Sequence, residues 1–101
     1  MTPEKKVKTA VVKMLKEHSD LYYFYPVAGG FGSAGIPDIV VCYRGYFVAI
    51  ECKAGKGKTT ALQDKNLKQI RDAGGMAIVV NEENLQDVQD TLNTIDQWED
   101  M

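Results

Sequence analysis

Three features of the sequence predict an α/β domain whose mixed sheet is flanked by helices, in the order αβββαβ plus a C-terminal helix. Residues 39–43 (IVVCY) and 46–50 (YFVAI) are apolar runs separated by Arg44-Gly45, and β-branched and aromatic residues around a short Gly-containing turn favour an antiparallel hairpin. Apolar residues recur at helical spacing once before this hairpin and twice after it. Met76–Val80 is a continuous apolar run that follows a helical pattern. Such a run predicts a strand buried on both faces, parallel to the strand before the helix and reached by a right-handed crossover.

Thr2-Pro3 opens the first helix with a capping hydroxyl and a proline at the first helical position, where a missing N–H costs nothing. Val7, Ala10, Val11, Met14 and Leu15 then form an apolar stripe through about residue 18. Lys5, Lys6, Lys8, Lys13 and Lys16 fill much of the remainder, as a solvated face or one turned toward phosphates. Glu4 precedes Val7 and Val11 on the core-facing side, so it is either a first-turn acid complementing the helix dipole or a site residue. His18 reads as a partner for the C-terminal dipole rather than a catalytic base. Residues 21–27 (LYYFYPV) read as a strand ended or bulged by Pro26, with aromatics that pack or stack on bases. The glycine-rich run 29–35 lacks the Lys-Ser/Thr ending of a P-loop, which argues against nucleotide binding of that kind. Simple flexibility, or a close approach to a nucleic-acid strand around Gly32 and Ser33, remains open.

Beyond the hairpin, residues 54–60 (AGKGKTT) form a basic turn carrying Lys56 and Lys58. Thr60 with Gln63 fits a capping box for a helix that runs to about Ala73 and stops at Gly74-Gly75. Leu67 and Ile70 lie on its core stripe, and Gln63 falls at the start of that stripe, as the capping partner or as a group reaching into a site. Lys65, Lys68 and Arg71 take other faces. Asn81 is expected to cap the last helix, with Leu85, Val88, Leu92 and Ile95 inward and Asp87, Asp90 and Asp96 elsewhere. Trp98 packs down or contributes to an interface.

At 101 residues, 45% hydrophobic and 26% charged, the chain reads as a single domain spanning residues 1–101. No apolar run nears the ~18 residues of a membrane span, and no signal peptide is evident, so the expectation is a cytosolic protein without a membrane partner. Cys42 and Cys52 point to different hairpin faces and are expected to be reduced, partly buried strand residues. Their spacing, with a single His, fits no zinc site. The charge is unevenly spread: all 12 lysines and arginines lie before Gly75 with seven acids, and seven acids with no base follow. A basic body with an acidic tail is compatible with a polyanionic ligand, although a mixed solvated surface has the same composition.

The chemistry-bearing stretch is 35–53 (GIPDIVVCYRGYFVAIECK). A loop symmetric about Arg44-Gly45 sets Asp38 opposite Glu51, and alternation puts Asp38, Glu51 and Lys53 on one side of the hairpin near its open end. Two adjacent carboxylates need a positive charge between them. Lys53 supplies one charge, and a divalent cation on oxygen ligands supplies two; magnesium or manganese suits carboxylates plus the backbone carbonyl of Cys52. Lys53 beside such a site would orient or help deprotonate the attacking water, and the set would stabilise charge on a phosphodiester in transfer. The alternative is a cross-strand salt bridge at a strand end.

With Pro37-Asp38 followed at this spacing by Glu51-Cys52-Lys53, the sequence resembles the PD-(D/E)xK nuclease superfamily. More closely it resembles the VRR-NUC family of virus-type replication-repair nucleases, through Glu4, residues 35–38 (GIPD), residues 49–53 (AIECK), Gln63 and residues 73–75 (AGG). The resemblance covers about residues 3–90. It implies a restriction-endonuclease-like fold and a Mg2+- or Mn2+-dependent endodeoxyribonuclease. In that scheme Asp38, Glu51 and the Cys52 carbonyl hold the metal, Lys53 is the catalytic lysine, Glu4 holds a metal-bound water or second metal, and Gln63 supports the site. Lys5, Lys8, Lys56, Lys58, Gly32 and Ser33 are the expected nucleic-acid contacts. Stand-alone minimal members, often from phages, look like homodimeric cutters of branched DNA in recombination and repair, especially of four-way (Holliday) junctions. Flap, fork or duplex cleavage, and a binding module without chemistry, are the alternatives.

Overall fold

A computed structural model describes residues 1–27 and 34–101. The elements run α1 (Pro3–Leu15), β1 (Leu21–Phe24), β2 (Ile39–Tyr43), β3 (Tyr46–Cys52), α2 (Ala61–Asp72), β4 (Met76–Val80) and α3 (Gln86–Glu99). The sheet order is β1-β2-β3-β4, antiparallel except for the parallel β3–β4 pair. This is the expected αβββαβ core with a C-terminal helix, in three layers. One face of the sheet carries Ile39, Val41, Tyr43, Val48, Ile50 and Val80 against Val7, Val11 and Leu15 of α1 and Val88, Leu92 and Ile95 of α3. The other face packs Ala49 and Ala77 against Leu67 and Ile70 of α2. Most of the apolar driving force therefore lies on the α1–α3 side, where each fully buried aliphatic side chain contributes about 1.5–3 kcal/mol.

The hairpin has the expected register: Ile39 pairs with Ile50 and Tyr43 with Tyr46. Arg44 (φ 52°) and Gly45 (φ 87°) both take left-handed backbone, which a two-residue type I′ turn requires. An arginine is uncommon there, and its guanidinium is tethered to Asp96 at 2.9 Å and Asp20 at 3.3 Å. Thr2 caps α1 by accepting from Lys5 N–H. At the other end of α2, Gly75 N–H donates to Ile70 C=O past Gly74 (φ 97°), a Schellman-type stop.

Several expectations are corrected. α1 ends at Leu15 rather than near residue 18, and β1 ends at Phe24, before the proline that cannot donate to a ladder. His18 does not serve the helix terminus; its Nε2 meets Gln89 Oε1 at 3.1 Å and its ring packs edge-on to Tyr43. β4 is covered on both faces, Val80 by α1 and α3 and Ala77 by α2, but it is the sheet edge and Val79 is exposed. Asn81 does not cap α3: its side chain accepts from Glu83 N–H within a preceding turn, and α3 begins five residues later, at Gln86. Both cysteines are free, but Cys42 is exposed rather than partly buried: among the described residues, the cluster under α2 takes in Ala49 and Ala77 and does not reach Cys42. Among the described residues no helix is long and apolar enough to cross a membrane.

Candidate metal centre and nucleic-acid interface

The hairpin register brings the cluster together. Just ahead of β2, Asp38 lies alongside the last residues of β3, and its Oδ2 accepts the Cys52 N–H at 2.8 Å. That bond follows from the parallel ladder: Lys53 N–H turns toward β4 and donates to Val80 C=O, so the amide of Cys52 faces the opposite edge. The Cys52 carbonyl shares that orientation and points to Asp38's side. Glu51 is 2% exposed, and its Oε2 accepts from Gln63 Nε2 at 3.1 Å with Lys53 Nζ 3.4 Å away. Carboxylate oxygens of Glu4, Asp38 and Glu51 lie within 4.8 Å of one another.

Three carboxylates this close create an electrostatic demand. Burial, then the Asp38 carboxylate, push Glu51 up to about 7 against the opposing pull of Lys53. One lysine does not neutralise three carboxylates, and the donor set of hard oxygens fits a magnesium- or manganese-like cation. Burial likewise pushes the Cys52 thiol up to about 12, so it stays protonated.

Gln63 satisfies both of its expected readings. Its Oε1 accepts from Thr60 N–H at 2.9 Å, and Gln63 N–H donates to Thr60 Oγ1 at 3.2 Å, which completes the capping box. The opposite end of the same amide donates to Glu51. Glu4 is exposed, contrary to its core-facing expectation, because the first turn of α1 projects past the core. There it lines a cleft of about 700 Å³ together with Lys5, Lys8, Asp38 and Cys52. Lys56 and Lys58 are exposed on the neighbouring turn, but it is Ala54, Gly55 and Gly57 of that turn that line the cleft. Gly32 and Ser33 lie outside the described residues.

Comparison with solved structures was decisive for the fold. A chain described as a VRR_NUC domain is 18% identical, with 92% of this chain and 97% of that chain covered at a TM-score of 0.71. A VRR_NUC domain protein is 23% identical, with 95% and 87% covered at a TM-score of 0.65. Hjc, a Holliday junction resolvase from the archaeal hyperthermophile Archaeoglobus fulgidus, is 22% identical, with 77% and 65% covered at 0.55. The chain has the VRR_NUC fold. No protein-family model matches the sequence, and no curated protein is similar to it.

Within this VRR_NUC fold, Gly35 has a packing role that the motif alone does not show, and Asn66 and Glu82 are contributors the sequence did not single out. Gly35 (φ 81°) packs so tightly on the first turn of α2 that a Cβ would lie 2.6 Å from Leu62 C and 2.8 Å from Gln63 N. Asn66 Nδ2 adds a bond to Ala34 C=O at 3.2 Å. Together they dock the start of α2 against the segment that delivers Asp38. Glu82 Oε1 accepts from Gly55 N–H at 2.6 Å and ties down the turn after Lys53. Gly35 carries a faint signal, a glycine just before Ile36-Pro37-Asp38; Glu82 carries none, since its partner is 27 residues away.

Proposed function

We propose that the protein is a metal-dependent endodeoxyribonuclease of the VRR-NUC kind that cuts branched DNA, above all four-way junctions, as a homodimer. The carrying observation is the convergence of Glu4, Asp38 and Glu51, with Lys53 on Glu51, beside an open cleft that Glu4 and Asp38 line. Asp38, Glu51 and the Cys52 carbonyl would hold Mg2+ or Mn2+, with Glu4 reached directly or through water. The cation, when bound, supplies the charge that offsets the phosphodiester and lowers the pKa of water.

The chain's own groups do the rest. Gln63 fixes the Glu51 carboxylate by donating to Oε2, which keeps one orientation of a buried group. Cys52 N–H fixes Asp38 in the same way. Lys53, whose side chain is 13% exposed, holds its ammonium 3.4 Å from Glu51 Oε2, and with a substrate bound it would orient the attacking water and stabilise charge on the phosphoryl oxygens. Lys5 and Lys8 line the same cleft as phosphate partners, and Lys56 and Lys58, exposed on the turn whose glycines line it, would add further contacts.

The resemblance of fold to Hjc, described as a Holliday junction resolvase, supports the junction over other substrates. A symmetric junction needs paired nicks, hence two sites. The uncovered half of the sheet, with Tyr22, Phe24 and Phe47 exposed, is an apolar surface suited to pairing two copies.

The decisive experiment is cleavage of an immobile four-way junction in magnesium and in manganese, beside a fork and a linear duplex. Symmetric nicks restricted to the junction are expected. Lys53→Ala and Asp38→Ala should lower the rate at least ~100-fold while remaining folded. Cutting of every substrate would remove the junction preference, and full activity in either variant would remove the site assignment.

A further inference from the structure

The lysine face of α1 forms a second cavity that nothing in the catalytic cluster requires. It measures about 580 Å³ and is lined by Lys5, Lys8, Lys13, Lys16, Val12 and Tyr25, among others. Lys5 and Lys8 also line the cleft that holds Asp38, so the two spaces share two lysines and lie side by side along α1 as a trough. Lys8, which lines both spaces, has its Nζ 4.4 Å from the centroid of the Tyr25 ring, a cation–π contact inside the second cavity.

Two observations point to a polyanion. Among the described residues, no carboxylate lies within salt-bridge distance of Lys5, Lys8, Lys13 or Lys16, whereas Lys53, Lys68 and Arg44 are all paired. Like charges on one helix face repel mildly, so this face gains from a bound anion. The acidic C-terminal part meets α1 at a different place: Glu82 and Leu85, just ahead of α3, line a crevice with Lys6 and Ala10 that shares no lysine with the trough. The trough is thus the positive side of α1.

We infer that this trough is the track for one backbone of a duplex DNA arm leading away from the cleaved bond, with Lys13 and Lys16 as its distal phosphate contacts. This deepens the nuclease reading and rests on it. From Lys5 to Lys16 the helix rises ~16 Å, the axial length of about five nucleotides of one strand. Lys13 and Lys16 therefore act on DNA several nucleotides from the reacting phosphate, and sense arm length rather than chemistry.

The test measures equilibrium binding of a four-way junction with calcium replacing magnesium, across a series of salt concentrations. K13Q/K16Q is compared with K65Q/K68Q, which carries the same charge change on α2. Glutamine keeps the helix propensity of lysine, and thermal unfolding checks the fold. With long arms, K13Q/K16Q should raise Kd about tenfold near physiological salt and flatten the salt slope by about two. K65Q/K68Q should leave Kd within about twofold. Trimming the arms to ~3 base pairs should erase the K13Q/K16Q penalty, because the DNA no longer reaches the distal lysines.

Unchanged affinity and slope in K13Q/K16Q would overturn the track, as would an equal loss in K65Q/K68Q, which would mean diffuse charge. The two readings fail separately. If the wild-type protein cuts nothing in either metal but K13Q/K16Q still weakens long-arm binding, the track stands and the nuclease reading falls. If it cuts junctions while K13Q/K16Q binds like wild type, the reverse holds.

Discussion

Glu51 concentrates the physics of the site in one side chain. It is nearly inaccessible, faces Asp38, and is held by Gln63 and Lys53 through the same oxygen. With its pKa raised to about 7, the folded metal-free protein holds a proton that the unfolded chain releases in the ordinary glutamate range. The native state therefore binds more protons between about pH 4.5 and pH 7, and stability falls as pH rises through that window. The loss attributable to Glu51 is on the order of 3 kcal/mol. Urea denaturation in EDTA at pH 5 and pH 8 should show wild type losing more stability than Glu51→Gln. Magnesium should restore wild type at pH 8 and leave Glu51→Gln unchanged. A parallel pH response of the two proteins would contradict the assignment.

At the scale of elements, the site depends on how α2 docks. Gln63 does not reach Glu51 because of its own rotamer alone; the first turn of α2 must lie against Ala34 and Gly35. A side chain at Gly35 would meet backbone atoms, which cannot rotate away, and its positive φ adds ~1 kcal/mol of strain. Gly35→Ala should destabilise the protein by about 2 kcal/mol or more in urea denaturation and lower cleavage further than stability alone explains. Gly45→Ala is the comparison, since a Cβ there meets nothing within 4 Å and only the φ cost remains. Equal effects at the two glycines would show that α2 docking does not control the site.

For the whole molecule, charge and apolarity are sorted by face. The lysines of α1 line the trough, the acidic C-terminal part meets α1 at a different place, and the uncovered aromatic half of the sheet occupies the α2 side. Tyr22 is 70% exposed, while Phe24 and Phe47 are each 46% exposed. The proposed dimer would cover this patch, so light scattering at micromolar concentration should give twice the 11.2 kDa chain mass. Phe47→Glu, which places a charge at the α2 side of the patch, should shift the protein to monomer without unfolding it. Dimerisation unaffected by Phe47→Glu would put the interface elsewhere, and Trp98, packed on Tyr46 yet 42% exposed, would be the next surface to test.

The sequence by itself determined the element order, the hairpin register and the union of Asp38, Glu51 and Lys53, because each follows from local rules. A two-residue turn sets the pairing, alternation sets the face, and Thr60 with Gln63 writes its own cap. It misjudged Asn81 because an asparagine serves a turn as well as a helix cap, and misjudged the burial of Val79 and Cys42 because an apolar strand does not announce that it is an edge or that its cover is partial. Only the tertiary structure decided that Glu4 joins the cluster while staying exposed, that Gln63 both caps and contacts Glu51, that Gly35 seats α2, and that four lysines line a trough opening onto the carboxylates. Those are distances between elements far apart in the chain, set by how helices pack on a sheet, and no periodicity along one segment encodes them.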